Sequence, residues 1–164
     1  MTIRKARLAD VPIIHALLAE AAKSSPVIPR SHVELYENIR NFFVGECDNT
    51  LVGCSALQID WHDLAEVKSL AVQAAWRGKG IARALVLACV EEARAFDIDR
   101  VFALTGSPDL FVKYGFSRIE KSELPHKIWS ECVRCPKFPD CDEEAVLLRT
   151  GRHVEATVPL PHLP

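Results

Sequence analysis

The sequence carries little excess charge of either sign: 20 Lys and Arg stand against 22 Asp and Glu, a formal net charge of −2. Its basic residues are dispersed and form no run, which argues against a nucleic-acid partner. No apolar run reaches membrane-spanning length, and Met1-Thr2-Ile3-Arg4-Lys5 leads into no signal-peptide core. A cytoplasmic protein is therefore expected, with neither nucleic acid nor membrane as partner. The two commonest phosphate-binding signatures, G-x-x-x-x-G-K-[ST] and G-x-G-x-x-G, are missing as well. No internal repeat and no second domain are visible. The six cysteines are Cys47, Cys54, Cys89, Cys132, Cys135 and Cys141. In an unsecreted chain they read as thiols or metal ligands rather than as a disulfide framework.

What is present is an ordinary globular composition, 164 residues of which 49% are hydrophobic, enough for one domain with a sizeable core. Residues 1–150 are expected to form that domain. Residues 151–164, with their three prolines, read as a flexible tail.

The chain is organised around Glu66 to Ala82. Glu66-Val67-Lys68-Ser69-Leu70-Ala71-Val72 suits a strand of mixed burial. Arg77-Gly78-Lys79-Gly80 is a tight loop of small and basic residues. From Ile81 the apolar spacing turns helical through Leu85, Val86, Cys89 and Val90, and the helix should reach about Ala95. A strand, a glycine loop and a helix N-terminus in that order make an anion cradle. Glycine lets backbone approach the ligand, free N–H groups point at phosphate oxygens, and the helix dipole adds positive potential. Arg77 and Lys79 add full charges. The plainer reading is a glycine turn into a helix.

The flanking segments supply the other elements. Thr2 to Ala6 alternates as a strand. Asp10 is expected to cap a helix with Pro12 in its first turn and Ile13, Ile14, Leu17, Leu18 and Ala21 as its stripe. Ser24 to Pro29 breaks the pattern, and Ser31 with Glu34 forms a capping box that opens a short helix through Ile39. Asn41 to Glu46 and Leu51 to Asp60 read as antiparallel strands turning at Asp48-Asn49. Val101 to Thr105 reads as a strand, Asp109 to Tyr114 as a short helix ending at Gly115, then Phe116 to Ile119 and Ala145 to Arg149 as strands. Leu124 to Asp142 is irregular. Taken alone, this periodicity predicts an α+β or α/β fold.

R-x-x-G-x-A, from Arg77 through Gly80 to Ala82 after Ser69-Leu70-Ala71-Val72, resembles the acetyl-CoA pyrophosphate loop of the GNAT acyltransferases. The resemblance implies an α/β (α+β) fold of order βααβββαβαββ, with a mixed central sheet flanked by helices. It implies acetyl-CoA as co-substrate, held by Arg77, Gly78, Lys79, Gly80, Ile81 and Ala82. The backbone of Leu70, Ala71 and Val72 would pair with the pantetheine arm. Glu66 falls where many members carry a glutamate as general base; its alternative is a surface residue of an alternating strand. Many members place a tyrosine acid four residues before a late Gly-Phe. Here Gly115-Phe116 is present but that position is Phe111, which reads as core or cofactor packing, and Tyr114 would be displaced from the role. A coenzyme A thiol leaves without strong acid help.

A narrower resemblance, to the acetyltransferase domain of N-acetylglutamate synthases, rests on Ile28-Pro29-Arg30-Ser31, Glu34-Leu35, Gly53-Cys54-Ser55-Ala56-Leu57, Leu64-Ala65-Glu66 and Phe102-Ala103-Leu104-Thr105. Leu124-Pro125-His126-Lys127-Ile128-Trp129, with the later cysteines, is similar to its short bacterial form. It implies acetyl transfer to the α-amino group of L-glutamate, the first step of arginine biosynthesis. Two carboxylates need two cationic anchors. Arg30 is the first implied, Cys54 contacts the acceptor through its backbone, and Lys127 or Arg134 is the candidate for the second. The alternatives are an acetyltransferase for another amino acid, amine or protein N-terminus, and a non-catalytic acetyl-CoA-binding or metal-linked module. Cys132-x2-Cys135-x5-Cys141 has the close first pair of a zinc knuckle and His126 could complete it, but the loose second half leaves buried thiols or a redox pair as the other reading, so no metal ligand is assigned. Members of the family include dimers; no homodimer interface is legible.

Overall fold

Asp48 and Asn49 both adopt positive φ, 50° and 59°, and so close a two-residue hairpin between β2 (Phe42–Cys47) and β3 (Thr50–Trp61). Around that hairpin the computed structural model, which describes residues 1–124, 134–135 and 141–152, builds a seven-stranded sheet. The remaining strands are β1 (Thr2–Lys5), β4 (Leu64–Val72), β5 (Arg100–Thr105), β6 (Ser117–Ile119) and β7 (Glu144–Arg149). Their order across the sheet is β1-β2-β3-β4-β5-β7-β6. Among the described residues only β4 and β5 run parallel, because α3 (Ile81–Ala95) makes the crossover between them; the other described pairs are antiparallel. With α1 (Val11–Ala22), α2 (His32–Asn38) and α4 (Pro108–Lys113), the order is the expected βααβββαβαββ.

Residues Leu51 to Leu57 are all buried, which explains why β3 reads as a continuous small and apolar run. On one face α3 lays down Val86, Cys89, Val90 and Ala93 against Leu57, Val67, Val101 and Phe111. Each fully buried Val or Leu there contributes about 1.5–3 kcal/mol. The helix can approach this closely because Gly53 has no Cβ: one would lie 3.1 Å from Leu85 Cδ1 and 3.2 Å from Ile81 Cγ2. On the other face Val11, Ile14, Leu18 and Leu35 of α1 and α2 cover Val44, Cys54, Ala56 and Ala71.

The capping box forms as expected: Ser31 Oγ accepts from Glu34 N at 3.2 Å, and Glu34 Oε2 accepts from Ser31 N at 2.8 Å. Asp10 is different. Its backbone is helical and its side chain makes no cap bond to α1. The carboxylate instead accepts from Arg7 N at 2.7 Å and pairs with both Arg4 guanidinium nitrogens at 2.8 and 3.1 Å. Arg4 is a charged double donor, and it outcompetes a neutral helix N–H.

The feature that positions the site is a break in β4. Its register with β3 slips between Cys54 and Ala56, and Ser69 takes a φ of 54°. The parallel pairing of β4 with β5 covers only Leu64 to Glu66 against Arg100 to Phe102. Beyond Glu66 the two strands part. Among the described residues, the β5-facing edge of β4 from Val67 to Val72 has no strand partner.

Candidate active site

The parting of β4 and β5 opens a cleft of about 1270 Å³. Val72 leads through a 3-10 turn, Ala74–Trp76, into the loop before α3. Gly78 and Gly80 have φ of 75° and 80°, and a side chain on either would meet nothing within 4 Å. Both glycines are there for conformation, not for space. Gly80 is the N-cap of α3 and has no side chain to satisfy the helix's first N–H groups, which leaves them to a ligand. Arg77 Nε reaches back to Val72 O at 3.4 Å and fixes the loop on the end of β4.

Arg77, Gly78, Gly80, Ile81 and Ala82 all line the cleft at this end. Lys79 does not line it; its ammonium sits 4.5 Å above the ring of Trp76, which does. Arg83, one residue past the motif, also faces the cleft and was not picked out from the sequence. Leu70, Ala71 and Val72 form the floor. Phe111 lines the wall and is 4% exposed, packed edge-on against Phe116 with centroids 5.2 Å apart. Tyr114 lines the cleft beside it, and partial burial raises its hydroxyl pKa against the opposing effect of Arg83. The phenol on this wall is therefore that of Tyr114, its ring 6.0 Å from the Phe111 ring that stands at the expected acid position.

At the far end, Glu66, Gln58, Lys68, Arg30 and Glu34 share the lining. The Glu66 and Lys68 side chains are only 13% and 18% exposed, shielded enough for charge to act strongly. Lys68 Nζ lies 3.6 Å from Glu66 Oε2 and donates to Gln58 Oε1 at 2.8 Å; Gln58 Nε2 donates to Asp60 Oδ1 at 3.0 Å. Arg30 Nη1 is 3.7 Å from Glu34 Oε1, beyond a good hydrogen bond. Glu34 is held below the ordinary carboxylate range by the Ser31 N–H and hydroxyl, with a smaller effect of Arg30. Arg30, Gln58 and Lys68 also border a second, smaller hollow of about 70 Å³ against Phe42 and Ala56. Two cations, Lys68 and Arg30, and two carboxylates, Glu66 and Glu34, thus share one end of the cleft. Lys68 and Gln58 were not anticipated, because alternation along a strand does not say which face the break in β4 will open.

Cys54 does not line the cleft. It is fully buried on β3 opposite Ala71, its thiol 3.6 Å from Ser69 O and pushed up to about 12 by burial. Arg134, Cys135 and Cys141 do line it. Lys127, His126 and Cys132 lie outside the described residues. Among those described, no group of three or more His, Cys, Asp or Glu is placed to hold a metal, and no helix is long and apolar enough to cross a membrane.

Known proteins match this arrangement. The profile of the acetyltransferase (GNAT) family matches residues 14–116. An N-acetyltransferase of Chlorobaculum tepidum, itself uncharacterised, is 37% identical over 145 residues, covering 88% of this chain and 94% of that protein. An amino-acid acetyltransferase of Mycobacterium tuberculosis is 35% identical over 135 residues, covering 80% of this chain and 77% of its own length. Among solved structures, N-acetylglutamate synthase of Neisseria gonorrhoeae, complexed with coenzyme A and N-acetyl-glutamate, superposes with a TM-score of 0.83 at 27% identity. That match covers 92% of this chain but 35% of the Neisseria chain. With the parted strands, the glycine loop and these relatives in agreement, the chain belongs to the GNAT acetyltransferase family.

Proposed function

We propose that this acetyltransferase moves the acetyl group of acetyl-CoA to the α-amino group of L-glutamate, by direct attack within a ternary complex. The observation that carries the reading is one cleft, which joins a phosphate cradle to an end lined by Glu66 with Lys68 beside it and by Arg30 with Glu34. The pyrophosphate would sit on the loop from Arg77 to Ala82, with Arg83 adding charge. The pantetheine arm would pair along Leu70 to Val72, where the β4 edge has no described strand partner. The amine of the acceptor must be neutral to attack; Glu34 at that end already accepts from Ser31 N, and Glu66 is the carboxylate assigned to take the proton, directly or through water. The nitrogen then bonds to the thioester carbon, the C–S bond breaks, and coenzyme A leaves as thiolate.

Arg30 and Lys68 suit the two carboxylates of the acceptor: one planar fork, one point charge. Lys68 displaces Lys127 as the second anchor in this reading, and Arg134 is a further cation on the same cleft. Relatives named amino-acid acetyltransferase and the N-acetyl-glutamate bound to the Neisseria enzyme support this acceptor. On that reading the reaction opens arginine biosynthesis, a role that fits a cytoplasmic enzyme.

The test is release of thiol from acetyl-CoA across a panel of amino acids, with each product identified by mass. Selective turnover of L-glutamate is expected. Arg30→Ala should raise the glutamate KM at least about tenfold while leaving the acetyl-CoA KM within about twofold. Turnover confined to other amines would keep the chemistry and overturn the acceptor.

A further inference from the structure

The loop from Ser24 to Pro29 and the turn after β5 touch each other, and both line the cleft. The contact is specific. A Cβ on Gly106 would stand 2.9 Å from Pro26 Cγ, closer than side chains approach one another, and 3.4 Å from Cδ. Gly106 does not have positive φ, so glycine is needed here for space and not for backbone conformation.

Each side of the contact is tied down. Ser24 N and Ser25 N both donate to Ala21 O at the end of α1, at 3.2 and 3.0 Å, and Ser25 Oγ adds a bond to the same carbonyl at 2.7 Å. Across the cleft, Ser107 N donates to Thr105 Oγ1 at 2.9 Å and holds the turn around Gly106. Pro26 and Pro29 have fixed φ, which limits how far this loop can yield.

We propose that the Pro26–Gly106 contact roofs the acceptor end of the cleft and acts as a size filter, so that free amino acids are taken and the same residues at the head of a peptide are refused. The proposal rests on the acetyl-transfer reading of the cleft, but not on glutamate being the acceptor. A peptide carries its chain onward from the α-carbon and needs an open groove to lie in. A strap joined to the opposite wall leaves a passage that only a compact acceptor can enter. Pro26 acts through shape and is a positioning residue; it takes no part in proton transfer.

The experiment compares each free amino acid with a tripeptide that begins with it, using the full chain and reading kcat/KM. The native protein is expected to favour the free amino acid by about a hundredfold or more. Pro26→Gly removes the ring and should shrink that ratio about tenfold, chiefly through better peptide KM, with the acetyl-CoA KM unchanged. Gly106→Ala should force the strap outward and raise the free amino-acid KM. In the double variant that second effect should vanish, because the ring it presses on is gone. Circular dichroism and thermal unfolding of each variant separate a moved strap from a lost fold. Selective use of an amino acid other than glutamate, over its own tripeptide, would overturn the acceptor and keep the filter. A native protein that prefers tripeptides, or a Pro26→Gly variant with an unchanged ratio, overturns the filter.

Discussion

At the scale of single residues, the proposed reaction turns on a carboxylate and its neighbours. If Glu66 takes the proton of the attacking ammonium, its amide counterpart must wait for amine already neutral in solution. Glu66→Gln is thus expected to lower kcat at neutral pH by about 10²–10⁴. The deficit should shrink as pH rises toward the amine's own pKa, because the supply of neutral amine then grows without help. A pH-rate profile of both proteins is the measurement. An equal deficit at every pH would make Glu66 a binding group and not the base. The sequence singles out Glu66 only through the position it shares with the family and Arg30 only through the motif at the start of α2, and both line the cleft. Lys68 and Gln58 were not legible. Both alternate on strands as ordinary half-buried polar residues, and they line the cleft because β4 leaves β5 just after Glu66. Cys54 is a different case. The resemblance implies an acceptor contact through its backbone, a role that does not use the thiol, and the thiol belongs to the core against Ser69 O.

At the scale of elements, the sequence spoke most clearly where local chemistry is strong. The Asp48-Asn49 turn, the Ser31–Glu34 capping box and the start of α3 at Ile81 all stand where the residues place them. The break in β4 had no such signal, since nothing about Ser69 requires a φ of 54°; the sheet and the helix crossover impose it. The loop before α3 offers a clean test of conformation against space. Gly80 has a φ of 80° and open surroundings, so a methyl there costs backbone strain and little else. Gly80→Ala should cost about 1 kcal/mol of stability and should turn the loop N–H groups away from the phosphate. The acetyl-CoA KM is expected to rise at least about tenfold with the acceptor KM little changed. Isothermal titration with coenzyme A checks this directly. Unaltered affinity would mean that Arg77 and Arg83, and not the backbone cradle, hold the phosphates.

At the scale of the whole molecule, the walls of the cleft depend on how α1 sits on the sheet, because the loop that carries Pro26 and leads to Arg30 leaves its end. Three segments meet at its other end. Arg4 on β1 pairs with Asp10 before α1 and with Glu46 on β2, each at 2.8 Å, and no turn within one element could supply that link. Arg4 holds the Asp10 carboxyl below its ordinary pKa, with the Arg7 N–H helping against the opposing effect of burial. The sign follows. A carboxyl with a depressed folded pKa adds stability that is complete above its unfolded value, about 3.9, and is lost as pH falls through the folded one. Asp10→Asn keeps the shape and removes the charge, so it should lower stability at pH 7 by about 1 kcal/mol, or about 2–4 °C in Tm. Thermal unfolding of the two proteins should therefore differ at pH 7 and converge as the pH falls below about 4. A gap that persists in acid would mean that the variant loses a hydrogen-bond geometry and not an ion pair. If the gap closes while the KM for the acceptor rises at pH 7, then the link at the start of α1 also sets the position of the loop that follows its end.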